Sequence, residues 1–309
     1  MTIKFRVFLH SYLGFNSNST LFYGEKDAVL IDASQLLSDT HRMVAEIITM
    51  RRNLTHIYVS HFHPDHHFGL QVLKNAFPRA RIVALPSVVK DVIATSSDKV
   101  GMWAIDRFGP DDIPKQTTIP EVMDEPRLVL EGEDILVSDN WEGDSVNNSV
   151  VWVPSIGVAC ATDVAFHDCH LWPIESNVAR RVTWRKDVAR LKDFGARIII
   201  PGHCDEGKAR LMEDVQENPS RRYTECVDWS INYLNNYEEV YETAETGAEM
   251  VEMMTKKYPD VKAEDFAIHW QARLLFPRSS PDWLTPLPGE PGTIFLNPSG
   301  GYDGDPPRE

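Results

Sequence analysis

The chain has 309 residues, 42% of them hydrophobic, which is enough to bury a large core and ordinary for one large α/β domain. Its formal net charge of −15 repels phosphate backbones and argues against nucleic acid as a partner. No stretch approaches the ~20 uninterrupted apolar residues of a membrane span, and Met1-Thr2-Ile3-Lys4-Phe5 opens no signal peptide, so the expectation is a cytoplasmic protein.

Residues 3–9 alternate in polarity and read as a strand. Residues 20–23 and 28–32 read as two more, joined by the turn Gly24-Glu25-Lys26-Asp27. Ser38 is placed to cap a helix running through Met43, Ile47 and Met50. Residues 55–60 form a short apolar strand, and a His-rich segment begins at its C-terminal end. A helix follows over about 69–77, then a strand over 81–85, and Pro86 opens another helix. Residues 99–120 are less regular. Their Met102, Trp103, Ile105 and Phe108, interrupted by Gly and Pro, fit either a lid or pocket wall or a satellite hydrophobic cluster.

The second half repeats the order of elements without repeating the residues. Strands are expected over 127–130, 135–138, 149–153 and 158–162, a helix over 177–194, and a strand over 197–200 that ends in Pro201-Gly202-His203. Beyond 213 the pattern is helical, over 223–241, 248–257 and 263–275. Trp229, Tyr233, Tyr237 and Tyr241 recur at a four-residue spacing, as in a packing stripe. The organisation expected is a core of residues 1–212, a helical extension 213–276 packed on it, and a Pro- and Gly-rich tail 277–309. The extension could cover a pocket or form the face of a homodimer. None of Cys160, Cys169, Cys204 and Cys226 forms a C-x-x-C pair, so reduced thiols are expected, Cys204 directly following His203.

The densest chemistry lies in His61-Phe62-His63-Pro64-Asp65-His66, which holds four potential metal ligands within six residues. A helix would present ligands at i and i+4, whereas this spacing fits a tight loop stiffened by Pro64 and delivered to a fixed place by the strand before it. Imidazoles with carboxylate suit zinc or another first-row metal. Burying so many ionisable groups without a cation would cost free energy.

The hexapeptide resembles the H-x-H-x-D-H signature of the metallo-β-lactamase superfamily. The resemblance extends over about residues 3–210 and includes Val29-Leu30-Ile31-Asp32-Ala33, Ala161-Thr162-Asp163 and Pro201-Gly202-His203. It implies an α/β fold, an αββα sandwich with two sheets between helical layers and the site along one edge, here carrying the C-terminal helices. It also implies two divalent metal ions, with His61 and His63 on the first, Asp65, His66 and His203 on the second, and Asp163 bridging both. Many members supply a third His to the first metal from a Gly-His-Thr-like turn. The matching turn here, Gly143-Asp144-Ser145, places Asp144 at that position, with Glu142 as the alternative ligand. Three carboxylates and a bridging hydroxide would balance two divalent cations, and the extra carboxylate brings manganese or iron into consideration beside zinc.

The resemblance implies a hydrolase that activates water for attack on a small cyclic ester, amide or carbamate, as a lactonase or lactamase does. Alternatives are a thioesterase or glyoxalase-II-like hydrolase, a phosphodiesterase or nuclease, a persulfide dioxygenase, or a metal-binding interaction protein without turnover. The acidic charge disfavours the nuclease, and the full ligand set disfavours the non-enzyme. Asp65, His67 and His170 are the catalytic candidates: Asp65 as a ligand, His67 if it faces the pocket rather than capping the next helix, and His170 from the loop after Asp163, where His167 is a lesser candidate. Trp103, Trp141 and Trp172 favour a small apolar or aromatic substrate. Arg180, Arg181 and Arg185 read as an exposed basic helix face, and His10, His41 and His56 as structural or surface residues. His269 has no assigned place.

Overall fold

In the computed structural model, residues 3–106, 108–261, 266–276, 279, 304–306 and 308 are described. The first half lays down β1 (Lys4–Leu9), β2 (Asn18–Tyr23), β3 (Asp27–Ile31), α1 (Leu37–Met50), β4 (Asn53–Val59), α2 (Pro64–His67), α3 (Leu70–Ala76), β5 (Arg81–Ala84), α4 (Pro86–Asp106) and β6 (Glu121–Val122). Its sheet runs β1-β2-β3-β4-β5-β6. The first three strands are antiparallel and the pairs from β3 to β6 parallel.

The second half supplies β7 (Arg127–Leu130), β8 (Glu133–Trp141), β9 (Asn148–Val153), β10 (Val158–His167), α5 (Val178–Arg190) and β11 (Ile198–Cys204). These strands form the second sheet, ordered β11-β10-β9-β8-β7, with β10 and β11 parallel. All ten residues of β10 are buried, as expected of a strand covered on both faces. The helices α6 (Glu206–Gln216), α7 (Glu225–Thr243), α8 (Gly247–Lys257) and α9 (Phe266–Leu275) follow. α6 packs on β1, and α7 on β10 and α5. The expected sandwich of two sheets between helices is therefore present, with the C-terminal helices laid against it.

Polar contacts tie the two sheets together near the ends of their strands. The Tyr58 hydroxyl of β4 lies 2.7 Å from Ser149 Oγ of β9, and Ser149 in turn donates to the Ser60 carbonyl at 2.7 Å. Asn18 of β2 donates to the Pro201 carbonyl of β11 at 3.0 Å. These bonds satisfy groups that would otherwise be buried without partners.

Several details differ from the sequence reading. α1 begins at Leu37, so Ser38 lies inside the helix, and Leu36 makes no side-chain cap. α4 continues to Asp106 through Gly101, so the start of the supposed irregular stretch is helical, while β6 and the first residues of α6 were not expected. Residue 213 falls within α6. Most of the tail from 277 lies outside the described residues.

Arg181 is not on an exposed basic face. It is buried, donates to Glu238 at 2.8 and 3.0 Å, meets Asp305 at 2.7 Å and stacks on the rings of Tyr237 and Tyr241. Arg180 and Arg185 are likewise paired, with Glu142 at 2.8 Å and Glu238 at 3.3 Å. The aromatic stripe does pack: Tyr233 and Tyr237 are buried, and Trp229 and Tyr241 partly so.

Trp184 joins α5 to the strand that carries the centre of the site. It is fully buried, edge-on to Phe166, and its indole N–H donates to the Val164 carbonyl at 2.8 Å. Trp184→Ala is expected to lower stability by about 3–5 kcal/mol, read as a shift in the urea unfolding midpoint.

Candidate metal centre

The loop after β4 is fixed by one carboxylate. Asp32 follows β3 in the left-handed region, with φ of 62°. Its Oδ1 accepts from the Ser60 backbone N–H at 2.8 Å, and its Oδ2 accepts from the Ser60 hydroxyl at 2.7 Å. The same Oδ2 lies 2.9 Å from His66 Nδ1. His63 then occupies the N-cap of α2, and Pro64 starts the helix with a preset φ and no N–H to waste. One short turn thus brings Asp65 and His66 round behind His61 and His63.

Asp163 reaches the same place from β10. The strand's pairing with β11 shifts register on either side of Thr162, which sits at φ of 49°. A β-branched residue in that region is strained, and the kink redirects the residue that follows. Two glycines permit the close approach. A Cβ on Gly202 would lie 1.9 Å from Asp163 Oδ1, and one on Gly143 would lie 2.7 Å from the Asp163 carbonyl oxygen. Asp144, next to Gly143, donates its backbone N–H to that carbonyl at 3.3 Å. The Asp144 turn is also pinned to α4, where Asp91 accepts from Asn147 Nδ2 at 2.6 Å.

The result is two buried groups with one member in common: His61, His63, Asp144 and Asp163, and Asp65, His66, Asp163 and His203, the ligand-type atoms of each lying within 4.8 Å of one another. In the first, His63 Nδ1 is 2.8 Å from Asp144 Oδ2, and His61 Nε2 is 3.6 Å from Asp163 Oδ2. In the second, His203 Nε2 is 3.1 Å from Asp163 Oδ2 and 3.2 Å from Asp65 Oδ2. His66 Nε2 lies 3.2 Å from Asp163 Oδ1.

Each imidazole is anchored through its other nitrogen. His61 Nδ1 meets Ser60 Oγ at 3.0 Å, His66 Nδ1 meets Asp32, His203 Nδ1 meets the Phe15 carbonyl at 2.8 Å, and His63 Nε2 meets Glu175 at 3.2 Å. Yet His61 Nε2, His66 Nε2 and Asp163 Oδ1, all buried and turned inward, have no hydrogen-bond partner. Orphaned lone pairs on imidazole and carboxylate, converging this closely, fit divalent cations.

The electrostatics agree with a site built for positive charge. Burial pushes the Asp65 and Asp163 carboxyls up, but the surrounding imidazoles outweigh it and hold both well below the usual carboxylate range. Burial depresses His61 well below the usual imidazole value. It would depress His63 and His203 too, but the carboxylates facing them raise each to about 10. Asp144 is pushed up to about 7 by burial, against the pull of His63.

A cavity open to solvent meets the two groups at His63, Asp65, Asp144 and His203, and Phe15, Trp103, Phe166 and Trp172 contribute aromatic wall. His170 lines it, buried, with Nδ1 2.9 Å from the Tyr233 hydroxyl and Nε2 without a partner. His67 is not brought into the cavity: its Nε2 meets the Phe62 carbonyl at 3.0 Å, and burial holds it down to about 4. Glu142 belongs to neither group and pairs with Arg180. His167 meets Tyr223 at 2.6 Å, and Trp141 stacks on Phe194 under Arg190, away from the cavity. All four cysteines are free and buried, and Cys204 accepts from Asn18 at 3.2 Å. Glu175, on His63, was not anticipated. It stands beside no motif, and only the folded chain brings it there.

The family model described as the metallo-beta-lactamase superfamily matches residues 12–203. No curated protein is matched by sequence. Among solved structures, the BLEG-1 B3 metallo-beta-lactamase is 14% identical, with 65% of this chain and 91% of that one covered at a TM-score of 0.52. A metallo-beta-lactamase from Pontibacter korlensis is 15% identical, with 71% and 87% covered at 0.48. FIM-1 from Pseudomonas aeruginosa, in its mono-zinc form, is 16% identical, with 66% and 84% covered at 0.44. At such identity the likeness to BLEG-1 speaks to the fold alone.

Gly202→Ala forces a methyl group into Asp163 and the Thr162 backbone. Expected are a loss of roughly 2 kcal/mol or more in chemical denaturation and a purified protein that retains little metal by elemental analysis.

Proposed function

Because the chain belongs to the metallo-β-lactamase superfamily, we propose that it is a dinuclear metal-dependent hydrolase that opens a small cyclic ester, amide or carbamate. The observation that carries this reading is the pair of buried His/Asp groups sharing Asp163 on the floor of an aromatic-walled cavity. In it, His61, His63, Asp144 and Asp163 hold one divalent cation, and Asp65, His66, Asp163 and His203 hold the other. Zinc is the expected metal, and manganese or iron suits the carboxylate-rich set. Such a pair supplies a water made acidic enough to act as nucleophile near neutral pH and a Lewis acid for a carbonyl oxygen.

The chain's own residues supply the rest. Asp65 faces the cavity, so the carboxylate oxygen it does not give to the cation is placed to take the proton that the attacking water gives up. Phe15, Trp103, Phe166 and Trp172 offer flat apolar surface to a small ring. Among the described residues lining the cavity none is Lys or Arg, so a polyanion would find no grip. His170 offers Nε2 to a polar atom of the substrate. Burial and the neighbouring His269 hold it down to about 3, so it is neutral wherever the enzyme works. Among the described residues no helix is long and apolar enough to cross a membrane.

The test is a panel of lactones, lactams, cyclic carbamates and linear thioesters, assayed with zinc and with manganese loaded. Saturable turnover of the cyclic substrates is expected, and turnover of thioesters alone would overturn the choice. Asp144→Ala should drop the metal content from two ions to one, and an unchanged content of two would remove Asp144 from the ligand set. His170→Ala should lower kcat/KM by roughly tenfold to a hundredfold, the worth of one or two hydrogen-bond energies. Its pH profile should keep the wild-type shape, since His170 does not titrate in the working range.

A further inference from the structure

Glu175 closes a 3-10 turn, Pro173–Glu175, and is 5% exposed. Its Oε2 lies 3.2 Å from His63 Nε2. Its Oε1 accepts from Trp172 Nε1 at 3.1 Å and lies 3.7 Å from Lys99 Nζ on α4. Lys99 is itself buried, its ammonium 5.6 Å from the centroid of the Phe62 ring, next in sequence to His63. A buried carboxylate needs a charge partner and filled lone pairs, and Glu175 has both without belonging to either metal-type group.

The consequence lies in His63. An imidazole that gives one nitrogen to a cation keeps a single N–H on the other, and the acceptor opposite that nitrogen decides which tautomer forms. The nitrogen turned toward Asp144 is Nδ1, at 2.8 Å, and the nitrogen turned away faces Glu175. His61, His66 and His203 are steadied by the hydroxyl of the adjoining Ser60, by Asp32 at the end of β3 and by the Phe15 backbone carbonyl. His63 alone among them is steadied through a carboxylate that α4 holds.

We infer that Glu175 is a positioning residue: by accepting the Nε2 proton of His63 it turns the Nδ1 lone pair onto the cation shared with His61, Asp144 and Asp163, and Lys99 ties that setting to α4. This rests on the dinuclear reading of the site. The link is specific to one of the two metal positions, because Glu175 touches no member of the group formed by Asp65, His66 and His203.

The experiment is competition titration of the full chain with zinc against a chelator, on wild type, Glu175→Ala, Glu175→Gln and Lys99→Met, with nitrogen-15 histidine spectra recorded on the zinc-loaded proteins. Wild type should bind two zinc ions and show His63 protonated at Nε2. Glu175→Ala should weaken one zinc ion by roughly tenfold to a hundredfold, leave the other within about twofold, and mix the His63 tautomers. Glu175→Gln, whose amide oxygen still accepts from Nε2–H, should restore the tautomer and most of the affinity. Lys99→Met should weaken the same ion by a smaller factor. Two zinc ions bound by Glu175→Ala with wild-type affinities would overturn the inference and leave the dinuclear reading standing. A wild-type chain that binds fewer than two would overturn that reading and the inference with it. Should Glu175→Ala fail to fold, the wild-type spectrum still decides: a His63 protonated at Nδ1 and bound through Nε2 overturns the inference.

Discussion

The whole site turns on one carboxylate. Asp163 is common to both metal-type groups, buried, and lies within 3.6 Å of three imidazoles. A charged group so placed is costly unless its surroundings are arranged in advance, and the fold arranges them through backbone geometry. Thr162 holds a left-handed conformation that a β-branched residue resists, β10 slips its register there, and two glycines leave room that any side chain would fill. Strain at one residue and missing side chains at two others are the means by which an aspartate inside a buried strand is brought to both groups.

A second layer of bonds converts proximity into preorganisation. Asp32 does for the loop after β4 what Thr162 does for Asp163: a single left-handed residue receives a backbone N–H, a hydroxyl and an imidazole. Every imidazole in the two groups has its outward nitrogen engaged, so ring rotation is suppressed before a cation arrives. Three of the seven side chains in the two groups are carboxylates, which contribute to the chain's net negative charge.

The features legible in the sequence are those written locally. The hexapeptide announces itself because four ligand-type residues in six positions have little other use, and the strand before it is apolar enough to fix where it starts. Asp163 and His203 were legible through the motifs around them, and the structure brings both to the hexapeptide, along with Asp144. Contacts made only by folding were invisible. Glu175 looks like any surface glutamate, and Arg181 like part of a solvated face, because Glu238 and Asp305 come from remote parts of the chain. The length of α4 was hidden by Gly101, which a helix tolerates at modest cost. β10 was read short because Thr162-Asp163 resembles a strand ending rather than a kink within a buried strand.

α4 divides its labour along its length. Near its start Asp91 grips the Asp144 turn, and two turns later Lys99 grips Glu175, while Trp103, one turn further, faces the cavity and stacks on Trp270 of α9 at 5.6 Å. The two holding contacts and the wall contact are therefore separable by mutation. A change at position 103 alters the cavity wall at the far end of the helix and leaves the contacts of Asp91 with the Asp144 turn and of Lys99 with Glu175 in place.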